Sequence, residues 1–322
     1  MGICITNRFL ASWTIFSFLV VTLLLKSLSA QGVNENQNPG QSIAVTPRFK
    51  SEIDSVNFEL LKLAKAIIEA PTSQERISRN SRFANELEQT LLGDSLFRND
   101  FDSVVNVSLL YDNSRSFRIA TWYVPLFDGT GVFHGFFQTP TTPKQNSRLI
   151  KLNDRTRQVE ANLQRSLDPE NWYGAYYYEL IQVKWQGEDQ FVLLGWKGDN
   201  PHTRKRVIEP LTITQEGPRF GKQVFQIGDH QPLRIVFEYS RQVSMSLSFK
   251  PNYRKPRNQV VPMIVFDRLV PKHQSLAGRH EHYVPEVNVF DGLEFARGVW
   301  KFVPDIDVRV EIDPSLRPIR RN

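Results

Sequence analysis

The sequence predicts a mainly β chain, an antiparallel sandwich, barrel or meander, preceded by an N-terminal αα-hairpin. Three observations carry this. Beyond Asp102 most apolar segments alternate with a period of two, as strands do. Their recurrence at roughly 8–12 residues with short polar turns suits antiparallel pairing rather than parallel β/α units. Between Ser51 and Gly93, by contrast, apolar residues recur every three or four positions. No fixed-period repeat argues for a propeller.

Residues 1–30 have the pattern of a signal peptide. Arg8 supplies a positive start, Ile15 to Leu25 is apolar except for Ser17 and Thr22, and Ser27 to Ala30 offers small residues for cleavage. The apolar run falls short of the about 20 residues that a membrane span requires. An uncleaved N-terminal anchor is the alternative reading. No later stretch is long and apolar enough to span, so no transmembrane domain is expected after signal removal. The expected destination is export, to the periplasm, the cell surface or the medium.

Cleavage would leave 292 of the 322 residues, enough to bury a core without covalent help. The single cysteine, Cys4, lies in the targeting segment. The mature chain is therefore cysteine-free, which rules out disulfides, a thiolate nucleophile and a thiolate zinc site. Without Arg8 and Lys26 there are 38 basic residues against 34 acidic, a net charge of +4. That excess is too mild to argue for nucleic acid, and none is expected as a partner.

Residues 31–50 are rich in Asn, Gln, Gly and Pro and read as a disordered linker. The helical hairpin follows over 51–93. Ile53, Val56, Leu60, Leu63, Ala64 and Ile67 form its first stripe, Pro71 ends that helix, and Thr72 to Glu75 has the form of a capping box. Phe83, Leu87 and Leu91 form the second stripe, and Gly93 ends it.

The β domain is read over 104–313. Its early strands carry Val105 to Leu109, Phe117 to Tyr123, Gly131 to Gln138 and Leu149 to Leu152. Val159, Leu163 and Leu167 suggest a helical interruption before Asp168-Pro169. The strongest strand signal is Tyr173 to Asn200, a hairpin turning at Gln186 to Asp189. Its first arm places Tyr177, Ile181, Val183 and Trp185 on one face. Its second arm, Phe191 to Trp196, is apolar except at Gly195, as a strand covered on both sides requires. Leu233 to Tyr239 and Val243 to Phe249 pair around Ser240 to Gln242. Val260 to Phe266 carries Pro262 and reads as an edge or bulged strand. Leu293 to Phe302 is a hairpin around Ala296-Arg297-Gly298, a three-residue loop. Ile306 to Ile312 alternates as a last strand, and 314–322 is a basic tail.

The runs Leu193 to Asn200, Val236 to Ser240, Ile264 to Leu269, Gly292 to Phe295 and Gly298 to Trp300 resemble an uncharacterised family of exported, β-rich proteins from Gram-negative bacteria. The resemblance covers Trp172 to Val308, about the C-terminal half. It implies export and a β-rich domain, and brings no activity or functional residue with it.

Candidate chemistry is sparse. His273, His280, His282 and Glu286 offer zinc-type ligands, and an extended His280-Glu281-His282 would aim both imidazoles one way. The competing reading is a solvated loop. Asp128 to Gly131 and Gly195 to Asn200 bring oxygen ligands beside glycines, as calcium loops do, but turn chemistry explains both. Tyr176 and Tyr178, opposite Tyr177, are the aromatics expected to be exposed. With Trp196, Asp199 and Asn200 they form the candidate binding rim, suited to stacking on a sugar or anchoring a protein. Basic runs at 202–206, 253–257 and 317–321 would suit lipid headgroups or anionic glycans, but solvated loops and a soluble tail explain them as well. No nucleotide-binding, nucleophile-elbow or zinc-protease motif occurs, and no cofactor is expected. Glu179, Glu238, Asp267, Asp291 and Glu294 are the carboxylates available to a glycosidase. The reading is an exported non-catalytic binding or assembly module of the cell envelope, with an envelope protein or glycan as partner. The alternative is an envelope glycan or peptide hydrolase using carboxylates, with or without a metal.

Overall fold

The computed structural model describes residues 47–93, 97, 107–141, 146–255 and 258–308. The expected signal peptide, the linker up to residue 46, Val105, the second half of the Ile306 to Ile312 strand and the basic tail lie outside them.

The helical pair is α1 (Pro47–Glu69) and α2 (Ser73–Leu92). Helix α1 begins four residues before Ser51, because proline is tolerated in a first turn. Thr72 caps α2, its hydroxyl accepting from the Glu75 amide at 3.2 Å. Gly93 ends the helix with φ −68°, not in the left-handed conformation usual for a capping glycine. No described helix is long and apolar enough to cross a membrane.

Three sheets follow. The first runs β1 (Val107–Tyr111), β2 (Arg118–Pro125), β3 (Gly131–Thr139), β4 (Arg148–Leu152) in spatial order. The second places β5 (Tyr176–Trp185), β6 (Glu188–Lys197), β7 (Thr203–Thr214) and β10 (Ile235–Ser240) side by side, with β8 (Gly217–Phe220) also on β7. The third runs β11 (Leu247–Arg254), β12 (Val260–Pro271), β13 (Tyr283–Ala296), β14 (Val299–Val303) and the short β9 (Phe225–Gln226). Among the described residues all strand pairs are antiparallel except β14 with β9, and no barrel closes.

Period-two alternation explains the stacking of these layers. Along β2, Ala120, Trp122 and Val124 join Leu60, Ile67, Phe83 and Leu87 of the helices in one core. Ile119 of the same strand turns the other way, into a core with Tyr177, Leu193, Val207 and Leu211 of the second sheet. Val192, Leu194 and Ile208 pack against Ile264, Phe266, Leu293 and Trp300 of the third. The fully apolar arm of the central hairpin is therefore covered on both sides, as its composition demands. Val261, Met263 and Val265 bury the outer face of the third sheet under Ile306 and Val308. The result is a helical layer on three stacked sheets.

Four local readings change. The helix expected over 155–167 is one turn, α3 (Thr156–Val159), then a 3-10 turn at Glu160–Asn162. The expected pair of Leu233 to Tyr239 with Val243 to Phe249 does not form: β10 lies against β7 in the second sheet, while β11 starts only at Leu247 and lies against β12 in the third. A bulge between Tyr177 and Glu179 shifts the register, so Tyr177 packs towards the first sheet while Ile181 and Val183 pack towards the third. Both hairpin turns hold two residues, Gln186-Gly187 (φ 51° and 87°) and Arg297-Gly298 (φ 54° and 81°). Two consecutive positive φ values suit the right-handed twist of the flanking strands.

Candidate functional site

The rim expected from sequence does not form as an exposed surface. The bulge sends Tyr176 into the core between the first and second sheets and Tyr178 into the core between the second and third. Both are half-buried. Tyr178 donates its hydroxyl to the Leu247 carbonyl at 2.9 Å, and the Arg206 guanidinium lies 5.2 Å from its ring centre. Burial raises the pKa of both phenols. Trp196 packs edge-on against Tyr123 at 5.1 Å. Asn200 Oδ1 accepts from the His202 amide at 2.8 Å, and Asp128 Oδ1 accepts from the Thr130 amide at 2.9 Å. Both loops are turns stabilised by their own side chains.

The metal-type residues also part company. His280–His282 is a 3-10 turn rather than an extended strand, so its two imidazoles do not share a side. His273 Nδ1 accepts from the Ser275 amide, His280 lies against the Tyr283 ring, and Glu281 faces Arg279. Glu286 sits in β13, which starts at Tyr283 within the stretch read as loop. Among the described residues no three His, Cys, Asp or Glu side chains group as a metal ion requires.

Asp199 belongs to a buried polar knot that sequence alone did not expose. Lys197 is fully buried, with Nζ donating to the carbonyls of Tyr173 at 2.6 Å and Gly174, and to Thr156 Oγ1 at 2.8 Å. Burial lowers its pKa against the opposing pull of Asp199. Lys205 meets Glu160 at 2.5 Å and Asp199 at 3.4 Å. Beside them Glu209 binds Arg234 at 2.7 Å and accepts from Tyr177 OH at 2.5 Å, all fully buried. Apart from the exposed Glu160 these charges are largely closed in, and they hold the strands β5, β6 and β7 to the segment before them.

The five glycosidase-type carboxylates are each engaged elsewhere. Glu179 accepts from the Phe249 amide, Glu238 from Thr203, Asp267 from the Ser246 amide, Asp291 from Arg268 and Glu294 from Lys255.

A hollow lies where α2 crosses the first sheet. It measures about 120 Å³ and is lined by Asn80, Ser81, Asn85, Trp122, His134 and Lys151, with Phe136 and the backbone of Gly135. Trp122 and His134 are directly opposed across β2 and β3. Their rings stack at 5.3 Å and 20°. Phe83 meets the same indole edge-on at 5.7 Å. Asn80 reaches down from α2 between them, its Oδ1 2.7 Å from Trp122 Nε1 and its Nδ2 3.0 Å from His134 Nε2.

The polarity of this chain is fixed by chemistry. An indole N–H only donates, so the Asn80 atom facing it must be the carbonyl oxygen. The other end of the amide is then NH₂, which donates to His134 Nε2. That nitrogen must accept, so His134 is neutral with its proton on Nδ1. Burial points the same way, lowering the imidazole pKa to about 4, while Asp154 opposes and Lys151 assists. Asn80 is buried on the stripe of Phe83, Leu87 and Leu91, three residues before Phe83. An amide on an apolar stripe was the available signal, and His134 inside the apolar run Gly131 to Gln138 was the second. No family model matches the chain, and no curated protein matches its sequence.

Proposed function

We propose that the chain is an exported, non-catalytic binding module of the cell envelope, with its ligand seat in the hollow between α2 and β3. The observation that carries this reading is the Trp122–Asn80–His134 hydrogen-bond chain, which fixes a polar, aromatic-floored recess on rigid elements. Binding sites are concave, largely apolar and furnished with a few fixed polar groups. The titratable side chains elsewhere support the non-catalytic half of the reading, since Glu209 is paired with Arg234, Lys197 is held by Thr156 and two carbonyls, and the glycosidase-type carboxylates each hold a different partner. The pattern of residues 1–30 and the resemblance over Trp172 to Val308 support export. A binding screen of envelope glycans and their fragments against the chain, followed by the signals of Trp122 and His134, tests the seat. Saturable shifts at those two residues are expected without turnover. Turnover of an envelope polymer that survives Trp122→Ala would overturn the proposal.

A further inference from the structure

We propose that this hollow is a carboxylate seat, taking an acid group carried on a small ring of the acidic-sugar class. The inference rests on the hollow being the binding site and adds the chemistry of what enters it. Among the residues lining it there is no Asp or Glu, and Lys151 is a cation at its exposed edge. Register places Lys151 opposite Phe136, two residues from His134 on the helix-facing side of the first sheet. The neutral His134 has its proton on Nδ1, and among the described residues no protein acceptor takes it. Asp154, the nearest acid to influence His134, is already occupied by the Phe133 amide at 3.3 Å and by Thr156 at 2.5 Å. The hollow is therefore lined by residues that carry an imidazole N–H, an ammonium and the Asn85 amide, with no acid among them. Charge-assisted hydrogen bonds from such donors to a carboxylate are stronger than neutral ones. The volume of about 120 Å³ sets the size. A cavity of roughly 150 Å³ admits one benzene-sized ring, so the seat takes the acid group and the edge of one ring, not an oligosaccharide.

The test is ¹⁵N NMR of the histidine side chains in the full chain, titrated with glucuronate and benzoate and, in parallel, with glucose and benzamide. Before any ligand, His134 should show a protonated Nδ1 and a bare Nε2; the opposite tautomer removes the donor and overturns the proposal. The two carboxylates should shift the His134 Nδ1 signal saturably, with the neutral analogues at least about tenfold weaker. Lys151→Gln, at an exposed position, should weaken the carboxylates about tenfold and leave the neutral analogues unchanged. Equal binding of acid and neutral analogues at His134 would keep the seat and overturn its chemistry. Shifts that bypass His134, or none with any of the four ligands, would overturn both the seat and its chemistry.

Discussion

The indole nitrogen of Trp122 and the amide oxygen of Asn80 lie 2.7 Å apart, and this single bond between a strand and a helix sets the protonation of a third residue, His134. Because the indole can only donate, it orients the amide, and the amide in turn requires a bare Nε2. Replacing Asn80 by Asp keeps an acceptor for Trp122 but turns the second contact into an acceptor that favours imidazolium. The His134 pKa, held to about 4, is then expected to rise above the ordinary histidine value, as read from its ¹⁵N or ¹H shifts. Asn80→Ala instead leaves two polar groups without partners and should cost about 2 kcal/mol or more in urea unfolding.

The same histidine gives the fold a pH dependence of definite sign. Its folded pKa is depressed, so between about 6.5 and about 4 the unfolded chain binds a proton that the folded chain refuses. Stability should therefore fall as pH drops through that window and flatten below it, by on the order of 3 kcal/mol for a shift of this size. Asp154 and Lys151 are the charged groups that act on the ring, with opposite signs. His134→Gln should remove this component of the slope of unfolding free energy against pH, while His280→Ala should leave it in place.

Glu209 and Arg234 are both fully buried and each holds further partners, Tyr177 on one side and the Phe220 carbonyl on the other. Removing one charge strands the other in the core. Glu209→Ala is expected to cost about 3–5 kcal/mol, whereas replacing both by apolar residues of similar volume should cost markedly less. A double-mutant cycle in denaturant decides it.

Gly174 has φ +61°, and a Cβ there would stand 2.4 Å from Asp154 Cγ. Its carbonyl is one of the acceptors of Lys197. Gly174→Ala should therefore destabilise by on the order of 2 kcal/mol or more, combining the left-handed backbone with displacement of Asp154. Thermal unfolding at one pH measures it.

The exposed turn around His280 carries no such burden. His280→Ala is expected to shift Tm by less than about 2 °C, the range of ordinary surface substitutions. Added chelator should leave the Tm of the parent chain unmoved. A drop of several degrees with chelator would restore the metal reading of His273, His280, His282 and Glu286.

Composition and periodicity by themselves determined the mainly β class, the two helices and the burial of Phe191 to Trp196, because a repeat of 2 or 3.6 records which faces meet a core. They also made the Thr72 cap legible, since its partner is only three residues away. Strand β7 was hidden: residues 202–206 read only as a basic run, until the fold set Lys205 against Glu160 and, further along the strand, Glu209 against Arg234. The bulge beside Tyr178 was invisible for the same reason: one extra residue changes nothing in the local pattern yet reverses every face before it. Only the tertiary structure brought Asn80, Trp122 and His134 together, from a helix and two strands up to 54 residues apart. Hydrogen bonds over such separations depend on how layers stack, and a linear pattern of apolar residues carries the faces of those layers but not which polar groups they set against one another.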